Sequence, residues 1–213
     1  MNILPNNPFF NAYQQYNTQY PALEIIGGML YDTVQFTSAA INNLLFFTAG
    51  PRASLDLTNM EAASQLPAPK AFLVRAFRFH ARVQPRSTAR AATGNVQPGA
   101  IDDIQQMLNT GTLRLSIGSK IYAEFPLWMI PSGGGVFGML GNMGATADPG
   151  SITDWAENGL PAVDNALVLS QPLFIAPQIN FSVNVFWPAA ITLANGSVNV
   201  TVAMDGDLLR PVQ

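Results

Sequence analysis

The side chains that could do chemistry are few, and their spacing limits the chemistry available. The chain has one histidine, His80, and no cysteine. Thiolate zinc sites, cysteine nucleophiles and disulfides are therefore excluded, and only carboxylates remain to complete a transition-metal site around His80. A Ser/His/Asp triad would have to use the same histidine, yet no Gly-x-Ser-x-Gly elbow presents a serine to it. Asp102 and Asp103 are adjacent; on a helix they would point about 100° apart, an arrangement suited to the first turn and not to sharing a proton. Asp154, Glu157 and Asp164 could approach a hard cation such as calcium, but they lack the alternating spacing of an EF-hand loop, so solvated loop charge is the expected role. Gly133 to Gly138 satisfies Gly-x-Gly-x-x-Gly. Pro131 before it and Gly141 and Gly144 after it deny the strand and helix that a dinucleotide site requires. No catalytic, cofactor-binding or metal-binding residues are assigned, and no enzymatic activity is expected.

The strongest charged feature is the run from Lys70 to Val83. From Ala76 onward its side chains separate by parity, with Phe77, Phe79, Ala81 and Val83 on one face and Arg78, His80 and Arg82 on the other. Such a face could meet phosphates, anionic lipid or an acidic neighbour; cross-strand partners on a solvated face are the simpler expectation. The segments Phe125–Met129 and Val136–Met143 place Trp128, Phe137 and several methionines among glycines, suited to burial in the domain or at an interface.

These residues must be positioned by a chain short of charge. Lys, Arg, Asp and Glu make up 11% of the sequence, against about 25% for ordinary soluble domains. An isolated sheet protein uses charge to stay soluble and to keep strand edges apart, so part of this surface is expected to be covered. The net charge of −3 opposes a general nucleic-acid binder. No secretory signal is read at the start, which suits synthesis in the cytoplasm. Two uncharged stretches, Phe125–Ala147 and Asn165–Met204, are broken by prolines, glycines and asparagines and are not expected to cross a membrane as helices.

Residues 1–21 are rich in Asn, Gln, Tyr and Phe and predict an extended arm whose Phe9, Phe10, Tyr13 and Tyr16 order against a neighbouring subunit. Residues 22–213 predict one domain. Strands are expected over Thr33–Thr37, Leu44–Thr48, Lys70–Val83, Thr112–Ile117, Ile121–Phe125, Ala166–Leu169, Leu173–Ile175, Ile179–Trp187 and Ser197–Met204. Gly118-Ser119 fits a two-residue type II′ turn. Ala100–Leu108 is the one helix, and Arg86–Gln97 and Ser132–Leu160 are loops. The absence of βαβ alternation excludes a doubly wound sheet. The fold class is all-β: an antiparallel β-sandwich of single jelly-roll type with about eight strands and one short helix.

The polar-aromatic arm, the charge-poor strands and the ending Asp205-Gly206-Asp207-Leu208-Leu209-Arg210-Pro211-Val212-Gln213 resemble the small jelly-roll capsid proteins of icosahedral, often tailless, bacteriophages. The resemblance implies a virion shell subunit packing laterally against copies of itself and other virion proteins, with an internal membrane as a further partner. It also departs from many capsid proteins. The first basic residue is Arg52, so genome binding by the arm is not expected. A decoration, penton or spike protein and a carbohydrate-binding β-sandwich module are the alternatives. The uncharged stretch 165–204 predicts a subunit interface in which Asn199→Asp or Thr201→Lys would block assembly, because a charge there would lose hydration without gaining a partner. The interface candidates are thus Phe9, Phe10, Tyr13, Tyr16, Arg78, Arg82, Trp128, Phe137, Asn199 and Thr201.

Overall fold

A computed structural model describes residues 8–20, 22–37, 40–50, 54–83, 100–130, 134–142, 152–159, 165–193 and 197–212. Two antiparallel sheets pack face to face. The first holds β1 (Leu23–Phe36), β10 (Val198–Pro211) and β3 (Ala71–Val83) in that order. The far side of β3 pairs along one stretch with β8 (Leu167–Ile175) and along another with β7 (Ile152–Gly159), which carries β6 (Gly134–Asn142). The second sheet is β2 (Ile41–Phe46), β9 (Phe181–Ile191), β4 (Thr112–Ile117) and β5 (Lys120–Pro126). The orders β1-β10-β3-β8 and β2-β9-β4-β5 make an eight-stranded jelly roll, into which the β6–β7 hairpin is inserted.

The expected alternation is what builds the core. Phe77 and Phe79 of β3 and Val200, Val202 and Met204 of β10 face Leu113 and Leu115 of β4 and Phe181, Val183, Val185 and Trp187 of β9 between the sheets, all buried. The β4–β5 hairpin turns at Gly118, whose φ of +60° suits the first central residue of the expected type II′ turn. Helix α2 (Ala100–Thr110) extends two residues beyond Leu108 and buries Ile104 and Met107, three positions apart, against the sandwich. Asp102 and Asp103 stand in its first turn as expected.

Several expectations on element layout change, and β1 also starts at Leu23, ten residues before the expected Thr33. The arm is not extended. Residues Pro8–Gln19 form helix α1, because Ala12, Tyr13, Tyr16 and Tyr20 fall on one stripe that the sheet can cover. The interval 132–160 is not one long loop, since it contributes β6 and β7. A glycine-rich segment can still be a strand when a neighbour accepts its main-chain hydrogen bonds, as β7 does for β6 from Gly134 onward. The segments 166–169 and 173–175 are one strand, β8, and Pro172 is tolerated because β8 is paired on one side only among the described residues. Finally, β10 continues seven residues past Met204 to Pro211. Gly206 makes this possible: it sits at a register shift where any Cβ would collide with the carbonyl of Leu73. No described helix is long and apolar enough to cross a membrane. The expected turns at 148–150 and 195–196 and the loop at 86–97 lie outside the described residues.

Candidate functional site

The outer face of the first sheet divides into two halves, and the division follows from β3 and β10. Toward their Ala71 and Leu209 ends, Ala71, Leu73 and Leu209 point outward with Phe174 of β8, and α1 lies over them. Tyr16 is the anchor, 4% exposed, with its ring 5.8 Å from that of Phe174 and its hydroxyl donating to the Pro69 carbonyl, the Leu209 carbonyl oxygen lying at 3.3 Å. Tyr13 meets Phe174 edge-on at 5.9 Å. The expectation that Tyr13 and Tyr16 order against a neighbour is therefore corrected: an apolar patch of their own subunit takes them. Phe9 and Phe10 lie in α1, but their side chains are outside the described residues.

Beyond the register shifts near Ala76 and Asp205, the same face becomes polar, arranged in rows across the strands. One row runs Gln35, Asn199, Arg82, Glu157 and Phe137 over five strands; the next runs Thr33, Thr201 and His80; the third runs Tyr31, Ala203 and Arg78. Together with Met29 and Asp56 the last two rows and Arg82 line a shallow depression of about 260 Å³. Four of the candidates, Arg78, Arg82, Asn199 and Thr201, are thus brought together, and Phe137 joins their outermost row by position, its side chain being outside the described residues. Trp128 is not among them. It stands 63% exposed on a single 3-10 turn, Leu127–Met129, after β5.

The electrostatics of this face are balanced. Arg78 donates to Asp205 at 2.6 Å and to the Asn165 carbonyl at 3.2 Å; Arg75 pairs with Asp207; His80 Nε2 lies 3.9 Å from Glu157. Among the described residues the carboxylates of β10 and β7 thus lie against Arg75, Arg78 and His80 of β3. Arg82 differs. Its Nε is buried and has no hydrogen-bond partner among the described residues. Thr33 and Thr201 hydroxyls share a hydrogen bond at 2.8 Å. Among the described residues no three His, Asp or Glu side chains converge as a metal site.

Sequence reasoning read Glu157 as solvated loop charge and missed Asn158, since both fell in a segment read as loop. Asn158, 2% exposed, fastens the inserted hairpin to β3: its Oδ1 accepts the Ala81 N–H at 2.9 Å and its Nδ2 donates to the Phe79 carbonyl at 2.6 Å. Asn158→Ala leaves both main-chain groups buried without partners and should cost about 2–4 kcal/mol. Urea denaturation checks this, and a loss under about 0.5 kcal/mol would show that water replaces the amide.

The interface argument from 165–204 also needs correction at one position. The stretch carries no charge itself, but in the sheet Asn199 faces Arg82 and Thr201 faces His80. A carboxylate from Asn199→Asp would gain a guanidinium neighbour, so it cannot serve as an unpaired buried charge. On the other sheet the outer face is treated similarly: Arg114 lies 4.7 Å over the Phe186 ring and pairs with Glu124 at 3.2 Å, supplying charge beside β9. No known family model matches the chain, and no curated protein is significantly similar to it in sequence.

Proposed function

We propose that this chain is a structural shell subunit, assembling laterally with copies of itself and with other shell proteins to enclose a virus or phage particle, and that it turns over no substrate. The observation that carries the proposal is the strand order β1-β10-β3-β8 over β2-β9-β4-β5, a jelly roll, an architecture that recurs in viral capsid and lectin domains. Two further features support it. Charge is scarce over the whole chain, and large apolar side chains such as Leu45, Ile121, Trp128 and Val168 stay exposed at several places on the subunit. Genome contact through the arm is not part of the proposal, because α1 carries no basic residue.

Electron microscopy of the purified protein at rising concentration tests this. Closed or cyclic particles are expected, and a monomer persisting at the highest concentration would overturn the proposal. Thr201→Lys adds a cation beside Arg78, His80 and Arg82, so it should remove the particles while circular dichroism stays that of the folded subunit. Unchanged particles from Thr201→Lys would exclude the polar face of the first sheet from the contacts.

A further inference from the structure

We infer that β1 is a pairing edge for a second copy of this chain, the two strands running antiparallel about a two-fold axis at Gly27. The starting observation is that the outer edge of β1 is satisfied over only part of its length. The Thr33 N–H donates to the Leu57 carbonyl, the Tyr31 carbonyl accepts the Asn59 N–H, and the Asn59 side chain bonds the Tyr31 N–H and the Met29 carbonyl. These outward groups belong to odd-numbered residues. Register with β10 is unbroken from Leu23 to Phe36, so the same parity turns the main-chain groups of Ile25 and Gly27 outward. They have no partner among the described residues. Among the described residues nothing blunts this part of the edge in the usual way: β1 contains no lysine and no proline, and Glu24 is engaged by Arg210 at 2.7 Å.

The glycines point to what approaches. A Cβ at Gly111 or Gly206 would strike neighbouring atoms, and Gly118 has a positive φ, so the fold itself requires those three. Gly27 and Gly28 are different. A Cβ at either would meet nothing within 4 Å, and neither has a left-handed φ. Glycine inside a strand weakens it unless another backbone comes close.

A two-fold axis at Gly27 makes the edge self-complementary. On the outer face it sets Ile25 of each copy, 58% exposed, opposite Met29 of the other, 47% exposed, since the two stand two residues on either side of the axis. On the inner face it sets Ile26 of each copy opposite Gly28 of the other. Gly28 borders a mainly apolar depression of about 290 Å³ among Ile26, Met60, Leu66, Phe72 and Leu208, with the Lys70–Glu61 ion pair also lining it, and its missing side chain leaves room for the incoming isoleucine. The ladder stops at Met29, whose carbonyl the Asn59 side chain already holds, so about five residues of each copy, 25–29, pair over roughly 17 Å.

The natural chain has no cysteine, so a single introduced thiol reports the contact. Opposed residues at a hydrogen-bonded antiparallel position have Cα atoms about 5.5 Å apart, within disulfide reach. Under mild oxidation Gly27→Cys should form a covalent dimer at least about tenfold faster than Leu45→Cys, a comparably exposed position on the other sheet. Ile25→Lys and Met29→Glu, each on an exposed side chain, should separately abolish the dimer in sedimentation. The double variant should restore it, because each new ammonium then faces a new carboxylate on the other copy. Cross-linking no faster than at Leu45→Cys, or a double variant that associates no better than the single ones, would overturn the inference. The contact stands apart from the shell proposal. A cross-linked dimer without particles supports this edge and removes the shell, and particles without the Gly27 cross-link do the reverse.

Discussion

Trp187→Ala should lower the folding stability by about 3–5 kcal/mol, the range for deleting a large buried aromatic side chain. Trp187 is one of the largest fully buried side chains, on the inner face of β9 with its ring 5.2 Å from that of Phe36 across the sandwich. It also joins the helix to the sheets, because Nε1 donates to the Met107 carbonyl at 3.0 Å, near the end of α2. Gly111 follows that helix with no room for a Cβ between Leu127, the Met107 carbonyl and the indole nitrogen, so the surroundings cannot collapse far into the space left behind. Trp187→Phe keeps most of the apolar volume and loses chiefly the hydrogen bond, for which about 1 kcal/mol is expected, plus any mismatch in packing. Urea denaturation of the three proteins measures both steps. If Trp187→Ala costs less than about 1 kcal/mol, the indole is not the tie between α2 and the sandwich.

Tyr16→Ala is the second large effect, with about 3 kcal/mol expected and α1 released from the sheet. Removing residues 1–20 altogether should expose Leu73, Phe174 and Leu209 as one outward apolar patch and promote aggregation, the opposite of what a freely exchanging arm would do. Acid–base behaviour gives an independent reading. Burial pushes the Tyr16 phenol up to about 12 from the ordinary tyrosine value of 10.0, with the charge of Tyr20 adding to the shift. The folded state therefore holds this proton more tightly than the unfolded state does. The stabilisation is complete below pH 10 and is lost as the pH climbs from about 10 to about 12. Tyrosinate absorbance with helical circular dichroism over that interval should show α1 detaching as Tyr16 ionises, and Tyr16→Phe should abolish the alkaline step. A truncated chain that stays monomeric and as stable as the full chain would overturn the account of α1.

What could be read from the residues was whatever depends on side-chain alternation. Phe77, Phe79 and Ala81 against Arg78, His80 and Arg82 identified β3 and both of its faces; Leu113, Leu115 and Ile117 with Gly118-Ser119 identified the β4–β5 hairpin; Asp102 and Asp103 marked the start of α2. A buried face must be apolar at every second position in a strand, so the pattern survives in one dimension. The same pattern, with no helix between successive strands, was enough for the sandwich and its jelly-roll class.

Tertiary structure decided the rest, because the causes lie on strands distant in sequence. Helix α1 has many Asn and Gln and little intrinsic drive to form; the patch made by Leu73, Phe174 and Leu209 supplies its stability. Hairpin β6–β7 is rich in glycine and becomes strand through mutual hydrogen bonding and the Asn158 clamp on β3. The charge balance of the polar face was hidden for the same reason. Residues 165–204 contain no ion, yet pairing places Arg82 beside Asn199 and His80 beside Thr201, while Asp205 and Glu157 come from outside that stretch to meet Arg78 and His80. Alternation along the chain determined which side of each strand is wet, and strand order in the sheets determined which wet side chains meet.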